Sequence, residues 1–88
     1  MIERETAVTN GLGLHARPAA KFVRLAATFV SDIRLACDGA SVNGKSIMGV
    51  MMLAAECGAT VHIRADGPDE QAAVDALTAL VARGFGES

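Results

Sequence analysis

An α+β two-layer open-faced sandwich, with a four-stranded, mostly antiparallel sheet and three helices on one face, is the fold this sequence predicts. Three observations lead there. Residues 32–37 and 60–65 alternate apolar and polar side chains one by one, the pattern of strands buried on a single face. Residues 16–29 and the stretch after Gly67 instead repeat apolar side chains at helical spacing. The resulting order is strand, helix, two strands, helix, strand, helix, which supplies helices to cover the apolar face of each one-sided strand.

Glu3 to Thr9 is expected to form the first strand, poorly alternating and ended by the cluster Asn10, Gly11 and Gly13. In the first helix Ala19, Phe22, Val23, Ala26 and Val30 make the apolar stripe, while Arg17, Lys21 and Arg24 take polar positions. The second strand points Ile33, Leu35 and Cys37 inward and Asp32, Arg34 and Ala36 outward. Asp38-Gly39 suits a two-residue hairpin turn into a short strand at 40–43. Ser46 to Leu53 predicts a short second helix with the serine as N-cap. The last strand turns Val61, Ile63 and Ala65 inward and Thr60, His62 and Arg64 outward. Gly67-Pro68-Asp69-Glu70 opens the last helix, where proline and acids suit the first turn; its stripe is Ala73, Val74, Leu77, Leu80 and Val81, and Gly84 ends it.

The 88 residues make one domain, residues 1–88, because two cores could not both be built. A chain of this length buries only about 60% of its unfolded surface, leaving little room for a deep cleft, a large cofactor or a self-contained catalytic scaffold. Apolar residues are 51% of the chain against 20% charged, which speaks for a folded core; 17 alanines and three phenylalanines make that core helix-rich and tightly spaced. A net charge of -2 and the lack of Trp and Tyr remove both the attraction and the stacking platforms that nucleic acid requires, so none is expected as a partner. The longest mainly apolar run without a charge, residues 47–55, falls short of the roughly 18 to 20 residues that span a bilayer. Glu3, Arg4 and Glu5 near the amino end do not resemble a basic leader, so the expected location is cytoplasmic, without membrane insertion. Cys37 and Cys57 lack the CxxC spacing of a redox or zinc site and are expected to be buried thiols.

Chemistry concentrates in the run from Asn10 to Ala20, which sets a histidine between a glycine-containing loop and a helix start. With His15 as N-cap, the N–H groups of Ala16 and Arg17 point out of the helix end, where the dipole favours negative charge. Pro18 sits in the first turn, where its missing N–H has no intrahelical partner to lose. Arg17 adds a permanent charge and a fork of donors suited to phosphate oxygens. An imidazole titrates near neutrality and can act as a nucleophile, so the set describes an anion site around a phosphoryl acceptor. The plainer alternative is a capping histidine beside a solvated arginine.

The run His15-Ala16-Arg17-Pro18-Ala19 after Gly13-Leu14 resembles the active-site signature of the HPr family, the histidine phosphocarriers of the bacterial phosphoenolpyruvate-dependent phosphotransferase system. A second segment, Asn43 to Met51, is similar to the regulatory-serine region of that family, and the likeness extends over nearly the whole chain. The resemblance implies that His15 accepts a phosphoryl group through Nδ1 from enzyme I and passes it to enzyme IIA, with Arg17 and the amides of Ala16 and Arg17 cradling the phosphate. Such a protein is a stoichiometric carrier rather than an enzyme, and needs no cofactor or metal. His62, in the outward row of a strand, is expected to be a surface residue.

Ser46 is a natural N-cap, and in relatives with the Lys45-Ser46-Ile47 pattern an HPr kinase/phosphorylase modifies this serine; the resemblance carries that regulation over. Ile47, Met48, Met51 and Met52 cannot all face one core from a short helix. Ile47, Met48 and Met51 are therefore expected to form an adaptable docking patch, with Leu14, Ala20, Arg24 and Lys45 around it; core packing is the competing assignment. The Gly13-Leu14 pair and the ending Arg83 to Ser88 are similar to forms from proteobacteria whose phosphotransferase system is often regulatory, so a regulatory adaptor governed by Ser46 stands as the alternative to a sugar-uptake carrier. A carrier that must show its site to several proteins is expected to be a monomer.

Overall fold

The structure, a computed structural model, describes residues 1–53 and 55–86. Its elements run β1 (Ile2–Ala7), α1 (Ala16–Ala26), β2 (Asp32–Cys37), β3 (Ala40–Asn43), α2 (Ile47–Met52), β4 (Thr60–Asp66) and α3 (Glu70–Ala82), with a short 3-10 turn at Gly84–Gly86. The sheet order is β1-β4-β2-β3 and every pairing is antiparallel. α3 lies against β1 and β4, α2 beside β3, and α1 packs between the other two helices. This is the open-faced sandwich expected from the alternating strands.

Burial follows the pleat. Ile33, Leu35 and Cys37 of β2 and Val61, Ile63 and Ala65 of β4 are buried, and they meet Phe22 of α1 and Val74, Leu77 and Val81 of α3 in one core. Asp38 and Gly39 both take positive φ, 51° and 83°, and Cys37 pairs with Ala40 across them, the geometry of a tight two-residue hairpin. β1 alternates after all: Ile2, Arg4 and Thr6 are half-buried and the residues between them exposed. The pattern is masked in the sequence because Arg4 occupies an inward position, where it pairs with Asp75 of α3 at 2.6 Å.

Several expectations need correction. α1 ends at Ala26, three residues earlier than its stripe implied, since Thr28 folds back with both its N–H and its hydroxyl donating to the Leu25 carbonyl. Val30 is therefore outside the helix and 78% exposed. Pro68 precedes the last helix instead of opening it. The N-cap is Asp69, whose carboxylate turns away from its own helix to accept the N–H groups of Val30 and Ser31 and the Ser31 hydroxyl. Cys37 is buried as expected, and burial pushes its thiol up, but Cys57 is exposed because it sits in the turn before β4. Gly84 follows the end of α3 as expected, and Phe85 after it, at φ 59°, returns its ring to the core, which the sequence reading did not foresee.

Candidate functional site

His15 is the N-cap of α1, with extended backbone (φ -80°, ψ -170°), and its side chain makes no cap bond to the helix it starts. Its carbonyl accepts the first intrahelical bond, from the Ala19 N–H at 3.0 Å. The amides of Ala16 and Arg17 precede that bond, and Pro18 carries no N–H, so the helix end presents donors and a positive dipole around the half-buried imidazole. Pro18 itself is buried, anchoring the first turn from beneath, while Ala16 and Arg17 are exposed. An anion with several oxygens, a phosphoryl group above all, meets its chemical needs there.

The approach to His15 is rigid. Gly13, at φ +67°, packs so closely on the segment after α2 that a Cβ would stand 2.3 Å from the Ala55 carbonyl oxygen. That same carbonyl accepts the Leu14 N–H at 2.9 Å. Leu14 is consequently 5% exposed and belongs to the core; its expected place at the rim of a docking surface is corrected.

Ser46 caps α2, its hydroxyl accepting the Gly49 N–H at 3.1 Å. Gly44 before it approaches Ile33 so nearly that a Cβ would fall 2.5 Å from Ile33 Cγ2, which fixes how the chain enters the helix. Lys45 is half-buried, its ammonium donating to the Phe29 carbonyl at 2.8 Å. Together with the Leu14 to Ala55 bond, this contact shows that α1 and α2 run antiparallel. His15 and Ser46 thus lie at opposite ends of a helix pair.

Between those ends α2 contributes Val50 to the core and turns its apolar remainder outward. Ile47, Met48, Met51 and Met52 are exposed, Met48 at 69%. Core packing of the first three is excluded. Leu12, in the loop before His15, is also exposed, at 79%; sequence reasoning had passed over it, and had weighed Met52 without assigning it to the docking patch. The legible signal was the run of large apolar residues around one buried valine. Ala20 is half-buried on α1, and Arg24 lines a groove of about 480 Å³ between α1 and α3 with Lys21, Arg83 and the apolar Leu25, Leu80 and Phe85. Among the described residues that line the groove none is a carboxylate. His62 lies on the open face of the sheet, 3.8 Å from Glu5 and far from this surface. Among the described residues no group of three or more His, Cys, Asp or Glu could hold a metal ion, and no helix is long and apolar enough to cross a membrane.

Comparison with known proteins finds a family model described as "PTS HPr component phosphorylation site" matching residues 2–83. Phosphocarrier protein HPr of Cupriavidus necator is 56% identical over 87 residues, covering 99% of this chain and 98% of that protein. The crystal structure of HPr from Thermoanaerobacter tengcongensis superposes with a TM-score of 0.95 at 45% identity, over 100% of this chain and 99% of the other. Crh, the catabolite-repression protein of Bacillus subtilis solved as a domain-swapped dimer, superposes with a TM-score of 0.77 at 46% identity, over 96% and 97%.

Proposed function

The chain belongs to the HPr family of phosphotransferase-system phosphocarriers, and from that membership we propose that His15 is its phosphoryl acceptor, loaded by enzyme I and discharged to enzyme IIA. The observation that carries this reading is the N-cap position of His15, its ring released from capping at a helix end that faces it with amide donors and Arg17. In the transfer Nδ1 of the neutral imidazole attacks phosphorus, the new P–N bond forms as the bond to the donor's ring nitrogen breaks, and that nitrogen takes the electron pair. Each ring keeps the proton on its other nitrogen, so no net proton moves. The amides of Ala16 and Arg17 and the Arg17 guanidinium hold the charge on the moving group.

Ile47, Met48 and Met51, with Ala20, Arg24 and Lys45, form the docking surface in this reading. Flexible thioethers fit several partners, and the cationic groove beside Arg24 favours partners with acidic surfaces. Ser46 is the regulatory position, modified by an HPr kinase/phosphorylase. Its phosphate would stand at the far end of the helix pair from His15, with the docking patch between them, so its action falls on that patch rather than on the acceptor ring. The carrier works as a cytoplasmic monomer. The likeness to Crh favours a second reading, a regulatory adaptor whose output is binding controlled by Ser46.

Incubation with phosphoenolpyruvate and enzyme I, followed by intact mass, separates them. One acid-labile phosphate, absent in His15→Ala and kept in His62→Ala, supports the carrier. A folded wild-type protein left unlabelled by active enzyme I leaves the adaptor reading.

A further inference from the structure

Asn10 is a buried polar residue, 3% exposed, that the transfer as described does not use. Its Nδ2 donates to the Gly13 carbonyl at 2.7 Å, and its own backbone carbonyl accepts the Gly13 N–H at 3.1 Å, closing a turn over Gly11 and Leu12. The peptide unit joining Gly13 to Leu14 is thereby held from both sides, its oxygen by Asn10 and its N–H by the Ala55 carbonyl. A peptide unit is a stiff plane, so two opposed bonds fix its orientation. The φ and ψ of Leu14 and the φ of His15 then separate this plane from the histidine, whose carbonyl is already tied into α1 by the Ala19 N–H.

The other half of the amide argues that this donor has a purpose beyond filling space. Asn10 Oδ1 is buried, and no protein group among the described residues donates to it. A buried polar atom left unpartnered is destabilising, and a small apolar residue would avoid that cost if packing were all that mattered here. What the asparagine supplies is a donor aimed at one carbonyl, in the loop that delivers the acceptor ring.

We propose that Asn10 is a positioning residue for phosphoryl transfer: by clamping the Gly13-Leu14 peptide against Ala55 it sets the direction from which the His15 ring meets an incoming phosphorus. This rests on the carrier reading for its kinetic consequence, though not for its structural one. Misplacing a reacting group by about 1 Å costs up to about a hundredfold in rate, so partial loosening should cost about tenfold.

The test compares wild type with Asn10→Ala, Asn10→Asp and Asn10→Ser, well below the melting temperature of each. Two readouts are taken: the Cε1–H resonances of His15 and His62 by NMR, and kcat and KM for enzyme I-driven phosphorylation. Asn10→Ala and Asn10→Asp are expected to displace or broaden the His15 resonance, leave that of His62 in place, and lower kcat about tenfold with KM within twofold. Asn10→Ser, which restores a short donor, should recover part of both effects. A folded variant with an unmoved His15 resonance and kcat within twofold of wild type overturns the proposal. If wild type itself takes no label the carrier reading fails, and the His15 resonance still decides the clamp. Should Asn10→Ala not fold, Asn10→Ser and Asn10→Asp make the same comparison.

Discussion

The two N-caps of this protein, His15 on α1 and Ser46 on α2, occupy the same structural position and are used in opposite ways. Ser46 gives its hydroxyl to the N–H three residues on, that of Gly49. The residue three after His15 is Pro18, which has no N–H to give. One imino acid thus removes one of the two partners that a capping side chain can take, leaving only the Arg17 N–H, and residue 15 contributes its backbone to the helix while its ring makes no cap bond there. The chemistry of the first helix end and the stability of the second follow from which residue stands at the third position.

The sharpest way to break this comparison is His15→Ser. It should abolish acid-labile phosphorylation completely while moving the melting temperature by less than about 2 °C, because Pro18 denies the new hydroxyl one of its two usual partners. A rise of about 4–8 °C, the value of a full cap of about 1 kcal/mol in a domain this small, would show that the Arg17 N–H serves the new hydroxyl in place of the N–H that Pro18 lacks. Next in size is Met48→Asp on the exposed face of α2, expected to raise KM for enzyme I about tenfold with an unchanged melting temperature; loss of stability would return Met48 to the core. Ser46→Ala should cost about 1 kcal/mol in thermal unfolding and leave labelling of His15 intact, since its hydroxyl supports α2 alone.

The smallest effect concerns a third N-cap, Asp69. The Ser31 hydroxyl, with the amides of Val30 and Ser31 behind it, holds this carboxyl below its usual range. A depressed folded-state pKa contributes stability that is present above the ordinary carboxylate pKa and is lost as pH falls through the folded value. Asp69→Asn should therefore flatten the acid limb of a stability-against-pH profile below about pH 4. An unaltered limb would assign that dependence to Glu70 and Asp75, whose carboxyls are likewise held low, by the Gly67 amide and by Arg4 respectively.

The parts of the fold legible in the sequence are those where one simple force acts. β2 and β4 are half-covered, so their alternation records burial directly, and the hairpin at Asp38-Gly39 depends on local backbone preference. β1 was harder because ion pairing with Asp75 lets an arginine stand where alternation asks for an apolar residue. The end of α1 was misplaced since Val30 continues the period that Thr28 has already broken. Phe85 went unread because a Gly-flanked aromatic after a helix looks like a tail, although one of only three aromatic residues in a small core should raise the suspicion that it is used. At the site, the N-cap positions of His15 and Ser46 were legible from the helix starts that follow them. Leu14 was misassigned for a physical reason: its burial depends on Ala55, forty-one residues away, and no local pattern reports it.

The sheet order also bears on how the protein is made. β1, the first strand to leave the ribosome, finds its partner only in β4, so its edge waits unpaired until some sixty residues have been synthesised. The loop bearing His15 waits as well, because the carbonyl of Ala55 that holds Leu14 arrives nearly as late. Contacts of such sequence separation close after the local ones, at the expense of loop entropy. A nascent chain therefore carries His15 through most of synthesis without the geometry around it, and the surroundings of that ring are completed only as β4 and α3 settle.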